Sequence, residues 1–148
     1  MTTLDSTRGE TAHRFPQFLP DGRRFLFTAL PAREGKFETY VGSLDSPKRQ
    51  LLLSAGTGVT WAPPGHLLYA RAGKLIAQGF DGQALELRGD PVSPGDAVGG
   101  TGNVGGPIAS ASGTGSVAYG TYRPTNQRLA WVDSSGREIA PLPVAPGP

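Results

Sequence analysis

The chain has 148 residues with 14 basic and 12 acidic side chains, a formal charge of +2 and a pI near 9.2, which is one ordinary domain's worth of polypeptide. The charges are scattered with no basic stripe, and Arg23-Arg24 and Lys48-Arg49 flank turns as solvated pairs, so the electrostatic footprint of a nucleic-acid binder is absent. Cysteine is also absent, which excludes a disulfide framework, a thiolate nucleophile and a Cys-bearing zinc site.

In chain order, residues 1–12 are polar with Leu4 as their one large apolar side chain, and they read as a lone strand or a frayed end. Arg14 to Phe27 is a hairpin. Its turn, Leu19-Pro20-Asp21-Gly22, has Pro preset at the second position and Gly where a left-handed residue is wanted. After a polar link from Pro31 to Lys36, a third strand is expected at Glu38–Asp45, with Tyr40 and Leu44 on one face and Val41 on the other. Arg49–Leu53 is the fourth.

The pattern restarts at Gly58–Trp61, turns at Pro64-Gly65, leaves through His66–Ala70, and continues in Lys74–Asp81 and Leu85–Leu87. A third unit begins near Ile108, turns at Gly115, passes Tyr119, and runs through Gln127–Asp133 to Glu138–Leu142. Helix is nearly excluded throughout. The longest stretch free of Gly and Pro, Thr125 to Ser135, has 11 residues, about the length of one average helix. The 22 glycines and 14 prolines approach the share at which disorder competes with folding, but the apolar residues are clustered, which disordered tracts lack.

The units repeat. The turn glycines Gly22, Gly65 and Gly115 stand 43 and 50 residues apart, with Phe18, Trp61 and Ala111 each four residues before them and Phe27, Tyr69 and Tyr119 following. A four-stranded unit recurring every 40 to 50 residues or so is the pattern of propeller blades. Phe25-Leu26-Phe27 and Leu67-Leu68-Tyr69 are apolar at consecutive positions, so both faces of those strands should be buried, as between neighbouring blades; a two-sheet sandwich would leave one face wet. The fold expected is therefore all-β, a propeller fragment of about three four-stranded antiparallel blades, with a β-sandwich as the alternative. The divisions are 1–12, a remnant strand of a preceding blade or a frayed end; 13–56, blade 1; 57–98, blade 2; 99–107, a Gly-rich loop; 108–142, blade 3; and 143–148, a Pro-rich tail.

Phe15–Arg23, Tyr40–Asp45, Leu52-Leu53-Ser54 and Ala62–Tyr69 resemble the TolB-like propeller repeats that follow the kinase domain of many bacterial serine/threonine kinases, and Leu75–Asp81 and Leu129–Asp133 fit the same pattern. The resemblance covers roughly residues 13–140. It implies a ring of about six blades in the family, an extracytoplasmic parent, and rim loops that bind a protein or small ligand. Three blades then make the chain a fragment, the product of a reduced gene, or a half-ring that pairs with a copy of itself. Such a piece leaves two apolar faces bare, so self-association or marginal folding is expected.

Candidate chemistry gives way to structural roles. Gly100-Thr101-Gly102-Asn103-Val104-Gly105 matches the dinucleotide-binding pattern by letter, but Gly106-Pro107 forbids the helix that would hold a pyrophosphate. His13 and His66 are two histidines, too few for a three-ligand metal site without carboxylates. Asp21, Asp81 and Asp133 hold turn positions, where aspartate bonds backbone amides. Trp61, Trp131 and Tyr40 lie in strands as core residues, and Tyr122 is the exposed ring. No Gly-x-Ser-x-Gly elbow occurs. The N-terminus lacks an apolar signal core, and no apolar run reaches the ~20 residues of a membrane helix. No catalytic residue, cofactor or metal is expected. The function expected is a non-catalytic protein- or ligand-interaction module, the alternative being an accessory propeller portion of a larger enzyme such as a serine peptidase or serine/threonine kinase.

Overall fold

The computed structural model describes residues 2–32, 36–95 and 106–121, and the backbone of 130–132 and 138–141. These residues are all-β apart from one turn of 3-10 helix, Ser6–Arg8, which Asp5 caps by accepting the Thr7 N–H at 3.0 Å. The first sheet is an antiparallel meander of β1 (Glu10–Phe18), β2 (Arg24–Pro31), β3 (Phe37–Ser43) and β4 (Ser46–Ala55). A second meander repeats the order with β5 (Thr60–Ala62), β6 (His66–Arg71), β7 (Lys74–Asp81) and β8 (Glu86–Gly95). Two further ladders pair β9 (Ala109–Ala111) with β10 (Val117–Tyr119), and β11 (Ala130–Val132) with β12 (Glu138–Pro141).

The first hairpin forms as its turn chemistry dictates. Gly22 takes φ +66°, the left-handed region, and donates its N–H to the Leu19 carbonyl at 2.9 Å. The Asp21 carboxylate accepts the Arg23 and Arg24 N–H groups at 3.0 and 2.9 Å, and Phe18 pairs with Phe25 at the start of the ladder. Elsewhere the strands differ from expectation in extent. Leu44 sits in the β3–β4 turn, its N–H bonded to the Arg23 carbonyl at 2.9 Å. Strand β8 runs on through Pro91 and Pro94, which an edge strand tolerates because one row of its amides needs no partner. The third unit, expected as four strands, pairs among the described residues as two separate two-stranded ladders.

Strand alternation sorts each sheet into two faces. On the face of the first sheet that meets the second, Leu26, Val41, Leu53 and Ala55 pack with Val59, Trp61, Leu67, Tyr69, Ile76 and Phe80 in one buried cluster. The next residue along each strand points the other way. Leu68, Ala70 and Leu75 of the second sheet pack with Ile108 and, from β9, Ala109 and Ala111. Both faces of the second sheet are thus covered, which accounts for the consecutive apolar residues of β6: Leu67 and Tyr69 are fully buried and Leu68 nearly so. Burial of one such side chain stabilises the fold by about 1.5–3 kcal/mol.

The two meanders lie in the same order and direction. The Trp61 N–H on β5 donates to Gln17 Oε1 on β1 at 2.8 Å, and Gln50 Nε2 on β4 donates to the Leu85 carbonyl just before β8 at 3.1 Å. First strand lies beside first strand and fourth beside fourth. Strand β9 continues the series, its Ala109 carbonyl accepting from Thr60 Oγ1 of β5 at 2.7 Å. The β1–β2 and β7–β8 turns therefore meet at one end of the stack, where Arg24 donates to the Gln83 carbonyl at 3.2 Å.

Candidate functional site

At this turn-bearing end the two sheets part to leave a cleft of about 370 Å³. One wall is the β1–β2 turn with Leu19, Pro20, Asp21 and Arg24, the other the β7–β8 turn with Asp81, Gly82, Gln83 and Arg88. Trp61 and Phe80 form the floor, edge to face with ring centroids 5.8 Å apart. Both rings belong to the inter-sheet core, so the cleft is the open end of that core and inherits its apolar lining.

The charged groups of the cleft are committed to one another and to the backbone. Asp21 pairs with the Arg24 guanidinium in addition to its two turn N–H groups. The Arg24 and Arg23 N–H bonds, and then the Arg24 side chain, pull its carboxyl down to about 2. Asp81 repeats the arrangement: it accepts the Gln83 and Ala84 N–H groups at 2.7 and 3.0 Å and pairs with Arg88. The backbone bonds of Ala84 and Gln83 hold its carboxyl below the usual range. Two aspartates expected to cap turns thus cap them in the same manner in both sheets, and each is neutralised by an arginine.

A depressed carboxyl pKa contributes stability that is fully present above the unfolded value and lost as pH falls through the folded value. For Asp21 that window runs from 3.8 down to about 2. Carbon-detected NMR should accordingly place the Asp21 carboxyl titration near 2 in the folded chain, and Asp21→Asn should flatten the pH dependence of the thermal midpoint between pH 4 and 2. An Asp21 midpoint in the ordinary range would contradict the cap.

A second polar cluster lies on the face of the first sheet turned away from the second sheet. Phe27 and Tyr40 stack there with centroids 5.6 Å apart, and His13 tilts against Phe27 at 4.7 Å. Arg49 lies 4.4 Å above the Tyr40 ring and clamps Glu10 through Nη2 to Oε1 at 2.7 Å and Nη1 to Oε2 at 2.8 Å. Glu10 also accepts the Asp5 N–H at 2.8 Å, and His13 Nε2 lies 3.0 Å from both Glu10 and Arg49. The Tyr40 hydroxyl donates to Glu38 at 2.6 Å, and Arg8 forks onto the same carboxylate at 3.0 Å. Burial first, and the Glu38 carboxylate second, push the Tyr40 phenol up to about 12.

The expected site residues are distributed accordingly. His13 joins this network and His66 is exposed at the start of β6, so the two are not brought together. Trp61 and Tyr40 are buried, as strand residues should be. Arg49 corrects the expectation of a solvated Lys48-Arg49 pair, because its side chain spans the sheet to Glu10. Sequence spacing carries no signal for a contact between residues 39 apart, and a basic residue beside a turn is solvated by default. The Gly100–Gly105 stretch, Tyr122, Asp133 and the Trp131 side chain lie outside the described residues. Among the described residues no cluster of three metal-ligating side chains occurs, and no helix is long and apolar enough to cross a membrane. No protein-family model, curated protein or solved structure matches this chain.

Proposed function

We propose that the chain is a non-catalytic interaction module built from TolB-like propeller repeats, and that it holds its ligand in the cleft between the first two repeats. The observation that carries this is the relation between the sheets. Two meanders of equal order stack first strand on first strand, with corresponding turns at one end and the cleft between them. Successive blades of a propeller are related in this way. A closed two-layer sandwich leaves its outer faces to solvent, whereas here the far face of the second sheet packs against β9.

The cleft favours binding over bond-making. Its aspartates are capped and paired, its arginines face those aspartates, and no histidine lines it. What remains is an apolar floor with two guanidinium groups at the rim, suited to a planar or proline-like group with a polar end.

Titration of the full chain with indole, benzoate and N-acetylproline amide, followed by amide NMR shifts, tests the proposal. At least one probe is expected to bind with millimolar affinity and to shift residues 19–24 and 82–88 together. Shifts confined to other surfaces, or none from any probe, would remove the cleft as the ligand site.

A further inference from the structure

Three polar atoms of the second cluster meet where only two hydrogen bonds can be made. Glu10 Oε2, Arg49 Nη1 and His13 Nε2 form a triangle, with 2.8 Å between Glu10 and Arg49, 3.0 Å between Glu10 and His13, and 3.0 Å between Arg49 and His13. A guanidinium nitrogen only donates and a carboxylate oxygen only accepts. With Nε2 unprotonated, the imidazole accepts from Arg49 and turns a lone pair to the Glu10 oxygen. With Nε2 protonated it donates to Glu10, and two N–H groups then face each other on the Arg49 edge. One edge is unfavourable either way, and the proton on His13 chooses which. Water is largely excluded, since 4% of the Glu10 side chain and 9% of the His13 side chain are exposed.

The same oxygen anchors the start of the described chain. Glu10 Oε2 accepts the Asp5 N–H at 2.8 Å, and the Asp5 carbonyl accepts the Arg8 and Glu10 N–H groups at 3.2 Å each. Gly9 follows in the left-handed region at φ +68°, and its carbonyl accepts the Ala32 N–H at 2.7 Å, so from Gly9 onward the chain belongs to the sheet. Residues 2–8 thus form a strap hinged at a glycine. Thr2, Thr3 and Asp5 of this strap line a cavity of about 210 Å³ together with Ser46, Lys48 and Arg49. A protonated Nε2 adds a third donor to an oxygen with two lone pairs. Arg49 keeps a second grip on Glu10, from Nη2 to Oε1 at 2.7 Å, and both it and an imidazolium make charge-assisted bonds, roughly twice as strong as neutral ones. The neutral Asp5 amide is the donor that yields.

The other groups around His13 keep their charge where imidazole ordinarily changes its own, between about pH 5 and 8. On β1, burial pushes the Glu10 carboxyl up, but Arg49, the Asp5 N–H and His13 outweigh it and hold it below the ordinary value. In the strap, the Thr7 hydroxyl holds Asp5 down and the Glu38 carboxylate holds Arg8 protonated. On β4, Glu10 holds Arg49 protonated. On β3, Tyr40 is pushed up to about 12, chiefly by burial, and its hydroxyl donates to Glu38. Strand β2 presents the Phe27 ring.

We infer that His13 is a proton-operated latch for residues 2–8: the unprotonated imidazole leaves Glu10 Oε2 to the Asp5 amide, and protonation claims that oxygen, frees the strap and opens the cavity it lines. The released state binds the proton more tightly, so release grows as pH falls through the His13 titration.

NMR of the full chain from pH 8 to pH 5 tests this, with the His13 ring nitrogens and the Asp5 amide followed together. The Asp5 amide shift is expected to track the His13 midpoint, and its exchange protection should drop about tenfold on protonation, the loss of one hydrogen bond. Amides of the β2–β3 ladder should keep their protection. His66→Gln should leave the response intact, whereas His13→Gln should hold the strap closed at both ends of the range. An Asp5 amide indifferent to the His13 titration, a response that survives in His13→Gln, or ladder amides losing protection in step with Asp5 would overturn the inference.

Discussion

Trp61→Ala is expected to destabilise the chain by about 3–5 kcal/mol, while Phe18→Ala, the same kind of change at the corresponding place in the first sheet, should cost about 1 kcal/mol or less. The Trp61 ring sits in the inter-sheet cluster and abuts Phe80. Its removal leaves a cavity bounded by strands that hydrogen bonding holds apart, and such sites collapse only in part. Phe18 has solvent on its outer side and keeps chiefly its contact with Phe25. Urea unfolding of the two variants measures the difference, and equal losses would mean that the two sheets do not bury these positions unequally.

Arg49→Ala should cost about 2–4 kcal/mol, because it strips a carboxylate of its main counter-charge and leaves that carboxylate largely out of water. The Glu10 side chain is 4% exposed. Burial raises its pKa, but the Arg49 fork, the Asp5 N–H and His13 together outweigh burial and hold it below the ordinary value. In the parent chain Glu10 therefore contributes stability above the unfolded carboxylate range and loses it as pH falls through the folded pKa. In Arg49→Ala the burial penalty is opposed by fewer groups, so the carboxyl moves up and the loss begins at higher pH. Adding Glu10→Gln should recover part of the deficit, with a coupling of about 1–3 kcal/mol. Urea titrations of the cycle at pH 7 and pH 4 check both statements, and simple additivity would show that the pair does not act as a unit.

This ion network also explains how a face without a sheet over it keeps its aromatic rings dry. Tyr69, which follows its turn glycine as Phe27 follows Gly22, is covered by the first sheet. Phe27 and Tyr40 are instead shielded by the chain's own His13, Arg49 and Glu10 side chains. The shield stops short of Phe18 and Leu44, which are exposed.

The all-β class, the first hairpin and the tandem meanders were legible in the sequence, because they rest on local chemistry. Frequent Gly and Pro prevent helices, and Pro20-Asp21-Gly22 sets a turn whatever surrounds it. Tertiary structure alone decided that Arg49 is a half-buried partner of Glu10, that Phe18 and Trp61 have opposite exposures although each stands four residues before a turn glycine, and that the β1–β2 and β7–β8 turns enclose a cleft. Each depends on which sheet face has a neighbour. That is a property of the order in which sheets stack, and strand periodicity is the same whether a face meets protein or water.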